Sequence, residues 1–182
     1  VGRMSKEYLE INIPHALQRL RDILDRESNV RGLIHAHSYA LAKSIKEEIG
    51  EPWRSRFIFH DNSDRNNMLK SWLVGSAENS VLVSVAMTEG LDLVDDMCRF
   101  QVLMKTPFAD LSDPVVKARL EMLDGNNWYK VNTLRTVLQS SGRATRHAND
   151  SSRFYIIDSN TIALLATHKH ILPSWFAASY KL

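Results

Sequence analysis

The stretch Gln139-Ser140-Ser141-Gly142-Arg143-Ala144-Thr145-Arg146 gathers residue types that handle phosphate. Arg143 and Arg146 are three apart, which sets both on one face of a helix or tight turn. Gln139 precedes Arg143 by four residues and shares that face. Gly142 leaves room for a backbone or a ligand to come close. Arginine keeps its charge and presents a planar fork of donors, a match for phosphate oxygens. Phosphoryl transfer develops negative charge, and an arginine that meets it is worth roughly 10³–10⁵ in rate. Spacing alone does not decide the matter, because two arginines on a solvated helix face are the commoner case.

Three other segments could contribute to a site. Val81–Val85 reads as a buried strand that runs into Met87-Thr88-Glu89-Gly90-Leu91-Asp92. Ligands of open α/β sheets lie outside the carboxyl ends of strands, so a loop there with a hydroxyl and two carboxylates is well placed. A solvated turn built on Gly90 fits the same residues. Gly32–Tyr39 reads as a strand ending at His37-Ser38-Tyr39, where a helix begins. A helix N-terminus offers free N–H groups and a favourable dipole to phosphate, although Ser38 also suits an ordinary N-cap. Leu103–Arg119 carries Pro107-Phe108 and Asp113-Pro114, which read as a strand exit, a turn and a proline-started helix without chemistry. His168 and His170 are read as surface histidines, and no metal site is expected.

The elements that must position these segments alternate. Gly32–Ala36, Arg56–Phe59, Ser80–Val85, Phe100–Met104 and Phe154–Ile157 are short apolar runs, as in strands buried on both faces of a parallel sheet. Helical patterns cover Pro14–Glu27, Ser38–Ile49, Asp64–Val74, Pro114–Leu123 and about Tyr129 to His147. Ser38 is the expected N-cap of its helix, with Gly50 just past the end. Strand–helix alternation predicts a doubly wound α/β domain over residues 1–182, with an appended helical tail at about 159–182.

Bulk properties narrow the class. The 182 residues have the apolar and charged fractions of an ordinary globular domain. A net charge of +2 supplies no global basic field, so nucleic acid must be met by a local patch. The single cysteine, Cys98, excludes an internal disulfide framework and fits a reducing, cytoplasmic compartment. No apolar run is long enough to span a bilayer and no signal peptide is visible. A start at Val1 suggests a piece of a longer protein.

Taken in order, the segments resemble the C-terminal RecA-like half of superfamily 2 helicases of the XPD/DinG-like branch. Gln139-x-x-Gly142-Arg143-x-x-Arg146 resembles motif VI, and His147, Asp150 and the run Phe154–Ile157 with Asp158 extend the likeness. Thr88, Glu89, Gly90 and Asp92 match motif V, with Val85 and Ala86 in place of an upstream glycine and lysine. His37-Ser38-Tyr39 is similar to motif IV, with His35 and His37 replacing more typical apolar or small residues. Arg65, Leu69 and Trp72 resemble motif IVa, and Pro107-Phe108 with Asp113-Pro114 and Arg119 matches another stretch of the branch.

The resemblance implies a RecA-like three-layer domain, a mainly parallel sheet flanked by helices. It implies Arg143 and Arg146 as arginine fingers on ATP, with Gln139, Gly142, Glu89, Gly90 and Asp92 on the nucleotide side. Ser38, Tyr39 and Thr88 would face single-stranded DNA, traversed 5′-to-3′. The chain has no Gly-x-x-x-x-Gly-Lys-Ser/Thr and no Asp-Glu-x-His box. ATP and Mg²⁺ are therefore expected mainly on an N-terminal RecA-like domain of the same polypeptide, and this chain alone is expected not to hydrolyse ATP. The branch carries an iron–sulfur cluster in its first half, and Cys98 is not one of its ligands by position. A non-motor binding module of the same fold is the alternative. A small-molecule α/β enzyme would need a Gly-rich βα turn, which no strand end supplies.

Overall fold

The computed structural model describes residues 1–59, 72, 76–85, 93–145 and 147–179. Among these residues, five strands form one parallel sheet: β1 (Gly32–His35), β2 (Phe57–Phe59), β3 (Val81–Ser84), β4 (Phe100–Leu103) and β5 (Arg153–Ile156). Their order across the sheet is β2-β3-β1-β4-β5. Each lies within a residue or so of its expected run, because continuous apolar sequence suits a strand covered on both faces.

Register divides the strands cleanly between two faces. Ile34, Val81, Val83, Phe100 and Val102 pack on one side under α1 (Leu9–Arg26) and α2 (Tyr39–Glu48). Leu33, Leu82 and Cys98 point to the other side, where they meet Trp72, Leu93 and Ala144. That second face also carries α3 (Pro114–Glu121), α4 (Gly125–Ser141), α5 (Ser159–Thr167) and α6 (Ser174–Ser179) along the β4–β5 edge. Leu134 of α4, Leu165 of α5 and Phe176 of α6 form a separate cluster with Ile156 of β5. Gly32 is required by this packing: a Cβ there would run into the Phe100 ring.

Two helices depart from their expected bounds. The first helix starts at Leu9, five residues before Pro14, which lies inside it. Leu9 and Ile13 are buried with Met4, so apolar burial extends the helix upstream, and Pro14 is tolerated on the solvent side. The helix expected to reach His147 runs from Gly125 and stops at Ser141. Gly142 caps it, Gly142–Ala144 form a 3-10 turn, and Thr145 is extended. Other termini fall where the chemistry places them. The Ser38 hydroxyl accepts from the Leu41 N–H at 3.4 Å, and Gly50 follows α2 at φ +77°. Asp113 caps α3 ahead of Pro114. Arg65 and Leu69, with most of the expected helix at 64–74, lie outside the described residues. His168 is a departure: it is buried, and its Nδ1 lies 3.0 Å from the Leu164 carbonyl. No helix among the described residues is long and apolar enough to cross a membrane.

The chain leaves β1 toward one face of the sheet, into α2, and leaves β4 toward the other, into α3 and α4. Their carboxyl ends are adjacent, since β1 pairs with β4 from Gly32↔Phe100 to His35↔Leu103. Diverging connections at neighbouring strand ends open the crevice in which α/β sheets bind ligands.

Candidate nucleotide and nucleic-acid site

Two connections frame this crevice. Beyond β1 come Ala36, His37, Ser38 and Tyr39, and beyond β4 come Met104 and Lys105. His37 turns the chain with φ 49°, an αL conformation uncommon for a non-glycine residue. That turn delivers Ser38 to the N-cap of α2 and leaves Tyr39 exposed at its first turn. His37 stacks on His35, with ring centroids 5.9 Å apart and planes 12° from parallel. Its Nε2 is buried and has no hydrogen-bond partner among the described residues.

The second half of the site is the end of α4. Gln139 is exposed there, and Gly142 and Arg143 are half-buried in the following turn. The helix ends before Arg143, so Gln139 and Arg143 do not share a continuous α-helical face. A Cβ added at Gly142 would meet nothing, so no group of the described chain is what this glycine admits. Arg143 is tied down through its backbone: its carbonyl accepts from the Leu93 N–H at 3.2 Å. Leu93 directly follows Asp92 in the sequence, so this bond reaches the first described residue after the motif V likeness. Thr88, Glu89, Gly90, Asp92 and Arg146 themselves lie outside the described residues.

Beyond Arg146 the chain is clamped again. His147 Nε2 lies 3.1 Å from Asp95 Oδ1, and the buried Asp150 accepts from Arg99 at 3.1 Å. Asp95, His147 and Asp150 bring ligand atoms within 4.8 Å of one another, a spacing a cation could use. Arg99 occupies that neighbourhood, bonded to Asp96 at 2.8 Å as well as to Asp150, so the cluster is a clamp with its own positive charge.

Sequence reasoning passed over the support beneath Arg143. His35 is 1% exposed and Gln101 is fully buried, and both face the α4 side of the sheet. His35 Nε2 lies 3.1 Å from Gln101 Oε1, and Gln101 Nε2 donates to the Ser141 carbonyl at 3.1 Å. The available signal was a glutamine inside the otherwise apolar run Phe100–Met104.

Both histidines are strongly perturbed. Burial holds His35 down at about 4, against the opposing pull of its Gln101 hydrogen bond and with help from the charge of Arg143. Burial, then His35, then Lys105 hold His37 at about 3. Folded values below the unfolded 6.5 mean that the neutral forms are the native ones. The stability they allow is complete above pH 6.5 and drains as pH falls toward about 4 for His35 and about 3 for His37. The slope is about 1.4 kcal/mol per pH unit for each fully coupled histidine. Urea unfolding at about pH 7 and about pH 5 is expected to show this loss, reduced in His35→Gln, and equal stabilities at the two pH values would contradict it.

Cys98 takes no part. It is fully buried, and burial pushes its thiol up to about 12, which leaves it unreactive.

A helicase C-terminal domain family model matches residues 22–179. The regulator of telomere elongation helicase 1 homolog of Drosophila ananassae is 34% identical over 40% of this chain and 8% of that protein. The Fanconi anemia group J protein homolog of Gallus gallus is 24% identical over 69% of this chain and 11% of that protein. The chain thus spans only 8% and 11% of the lengths of these curated relatives. Among solved structures, S. tokodaii Xpd4 superimposes with a TM-score of 0.63 at 19% identity, over 91% of this chain and 34% of that one. The C-terminal domain of the DEAD-box protein Dbp5 gives 0.51 at 11% identity, over 86% of this chain and 80% of that one. These likenesses show the RecA-like fold that the strand order describes. The chain belongs to the helicase C-terminal domain family, within the XPD/DinG-like branch of superfamily 2.

Proposed function

We propose that this chain is the second motor lobe of an ATP-dependent DNA helicase. In this reading Arg143 and Arg146 reach ATP held with Mg²⁺ on an N-terminal RecA-like domain of the same polypeptide. Gln139, Gly142, Glu89, Gly90 and Asp92 line the nucleotide side, and Ser38, Tyr39 and Thr88 track single-stranded DNA. The observation that carries the reading is the bond from Leu93 N–H to the Arg143 carbonyl. It joins the chain just after Asp92 to the arginine turn, so nucleotide state and strand grip can move as one piece.

Each group has a stated task. Two arginines meet charge that develops on the transferred phosphoryl group, which costs no reorganisation if their backbone is already fixed. The N-terminal end of α2, with its dipole and with Ser38 as cap, suits a backbone phosphate, and Tyr39 offers an exposed ring on which a base can stack. ATP, when bound with its Mg²⁺, supplies the free energy of phosphoryl transfer.

The test is ATP turnover by the full-length protein, with and without single-stranded DNA, beside the same assay on this chain alone. Strand-stimulated turnover in the first and none in the second is the expected result. Turnover by this chain alone, or none by the full-length protein, overturns the proposal.

A further inference from the structure

The side chain of Gln101 stands between two elements that the proposed chemistry depends on. It projects from the middle of β4, fully buried, and donates from Nε2 to the Ser141 carbonyl at 3.1 Å. Ser141 is the last residue of α4, so its carbonyl is one of those that a helix end leaves without an intrahelical partner. The Leu138 and Ser140 carbonyls of that end are met locally. The Gly142 N–H serves the Leu138 and Ser140 carbonyls, and the Ser141 hydroxyl donates to Leu138 at 2.8 Å. Arg143 comes two residues later, its own carbonyl held by Leu93.

His35 fixes which way the Gln101 amide points. A carbonyl can only accept, so the amide NH₂ must face Ser141 and its oxygen must face His35. His35 Nε2 therefore carries a hydrogen and donates to Gln101. The imidazole is locked in turn by its burial and by the His37 ring stacked on it. A polar pair in a buried face costs free energy unless both members are satisfied, and here each satisfies the other and the helix end.

We infer that Gln101 is a positioning residue for Arg143, oriented by His35 and acting through the Ser141 carbonyl. This rests on the proposed role of Arg143. A misplacement of about 1 Å at such a group can cost about 10²-fold in rate, so the cap has leverage well beyond its own hydrogen bond.

The experiment uses the full-length protein with single-stranded DNA and reads kcat, KM for ATP and the thermal midpoint. Gln101→Leu keeps the bulk and removes the amide. It is expected to lower kcat about tenfold or more while KM moves less than about threefold. The double variant Gln101→Leu with Arg143→Ala is expected to be no slower than Arg143→Ala alone, because the one acts through the other. Should Gln101→Leu fail to fold, the histidine pair decides: His35→Leu is expected to be slow, and His35→Gln, which can still donate, to recover most of the rate. Losses that multiply in the double variant, or a lowered midpoint with kcat per folded molecule unchanged, or no difference between His35→Leu and His35→Gln, overturn the inference. Full turnover in Arg143→Ala would instead locate the error in the role given to Arg143.

Discussion

In the full-length protein, Arg146→Ala is expected to lower ATP turnover by about 10³-fold or more. Arg143→Ala is expected to fall in the same direction, and its effect can be separated from folding. Arg143 is held to Leu93 through its carbonyl, which alanine retains, so the turn survives when the guanidinium goes. The expected signature is a large fall in kcat with binding of single-stranded DNA and the thermal midpoint preserved. Lysine replacements sharpen the point. Lysine keeps the charge and loses the planar fork, so it should restore only part of the rate at a site that grips phosphate bidentately. A solvated arginine pair predicts the opposite: alanine at either position would change turnover by less than about twofold. The described residues on either side of Arg146 are held, Arg143 by its bond to Leu93, and His147 and Asp150 by Asp95 and Arg99. Such anchoring lowers the entropy lost when an arginine engages its target, which favours a rate effect at the upper part of the range.

The sheet was legible because burial on both faces writes itself into sequence as short apolar runs, and all five runs became strands. Caps were legible for the same local reason: Ser38, Asp113-Pro114 and Gly50 act within a few residues of themselves. The start of α1 was not, because Met4, Leu9 and Ile13 gain their burial from the rest of the core, whereas Pro14 speaks only of its own backbone. Helical periodicity likewise continued past Ser141, where a turn at Gly142 changes the direction of Arg143. The candidate arginines were visible as a pattern. Their support was not, since Leu93–Arg143, Gln101–Ser141 and His147–Asp95 each join residues far apart in the chain. The sequence therefore names groups that could touch a ligand more readily than groups that hold them still.

Asp158→Ala is expected to destabilise the domain by about 3–5 kcal/mol, enough to remove much of the stability of an ordinary domain. The reason lies in how many segments one buried carboxylate holds. Asp158 is 1% exposed. Its Oδ1 accepts from Met4 N–H at 3.2 Å and from Asn160 N–H at 2.9 Å. Its Oδ2 accepts from the Thr106 N–H at 2.8 Å and the Thr106 hydroxyl at 2.7 Å, and that hydroxyl lies 2.8 Å from Thr161 Oγ1. One side chain thus caps α5, pins the N-terminal segment and fixes the exit of β4 just before Pro107-Phe108. Alanine leaves three backbone donors without this acceptor, each costing about 1–3 kcal/mol if it stays buried and unpaired. Asn is the informative comparison. It has nearly the same shape, yet its amide NH₂ must face a backbone donor on one side or the other, so a loss of about 1–3 kcal/mol is expected. Urea unfolding followed by tryptophan fluorescence measures both, with the midpoint expected to fall in the order wild type, Asn, Ala. Equal midpoints for all three would show that water replaces the carboxylate without cost, and that the N-terminal segment and the β4 exit are held by packing alone.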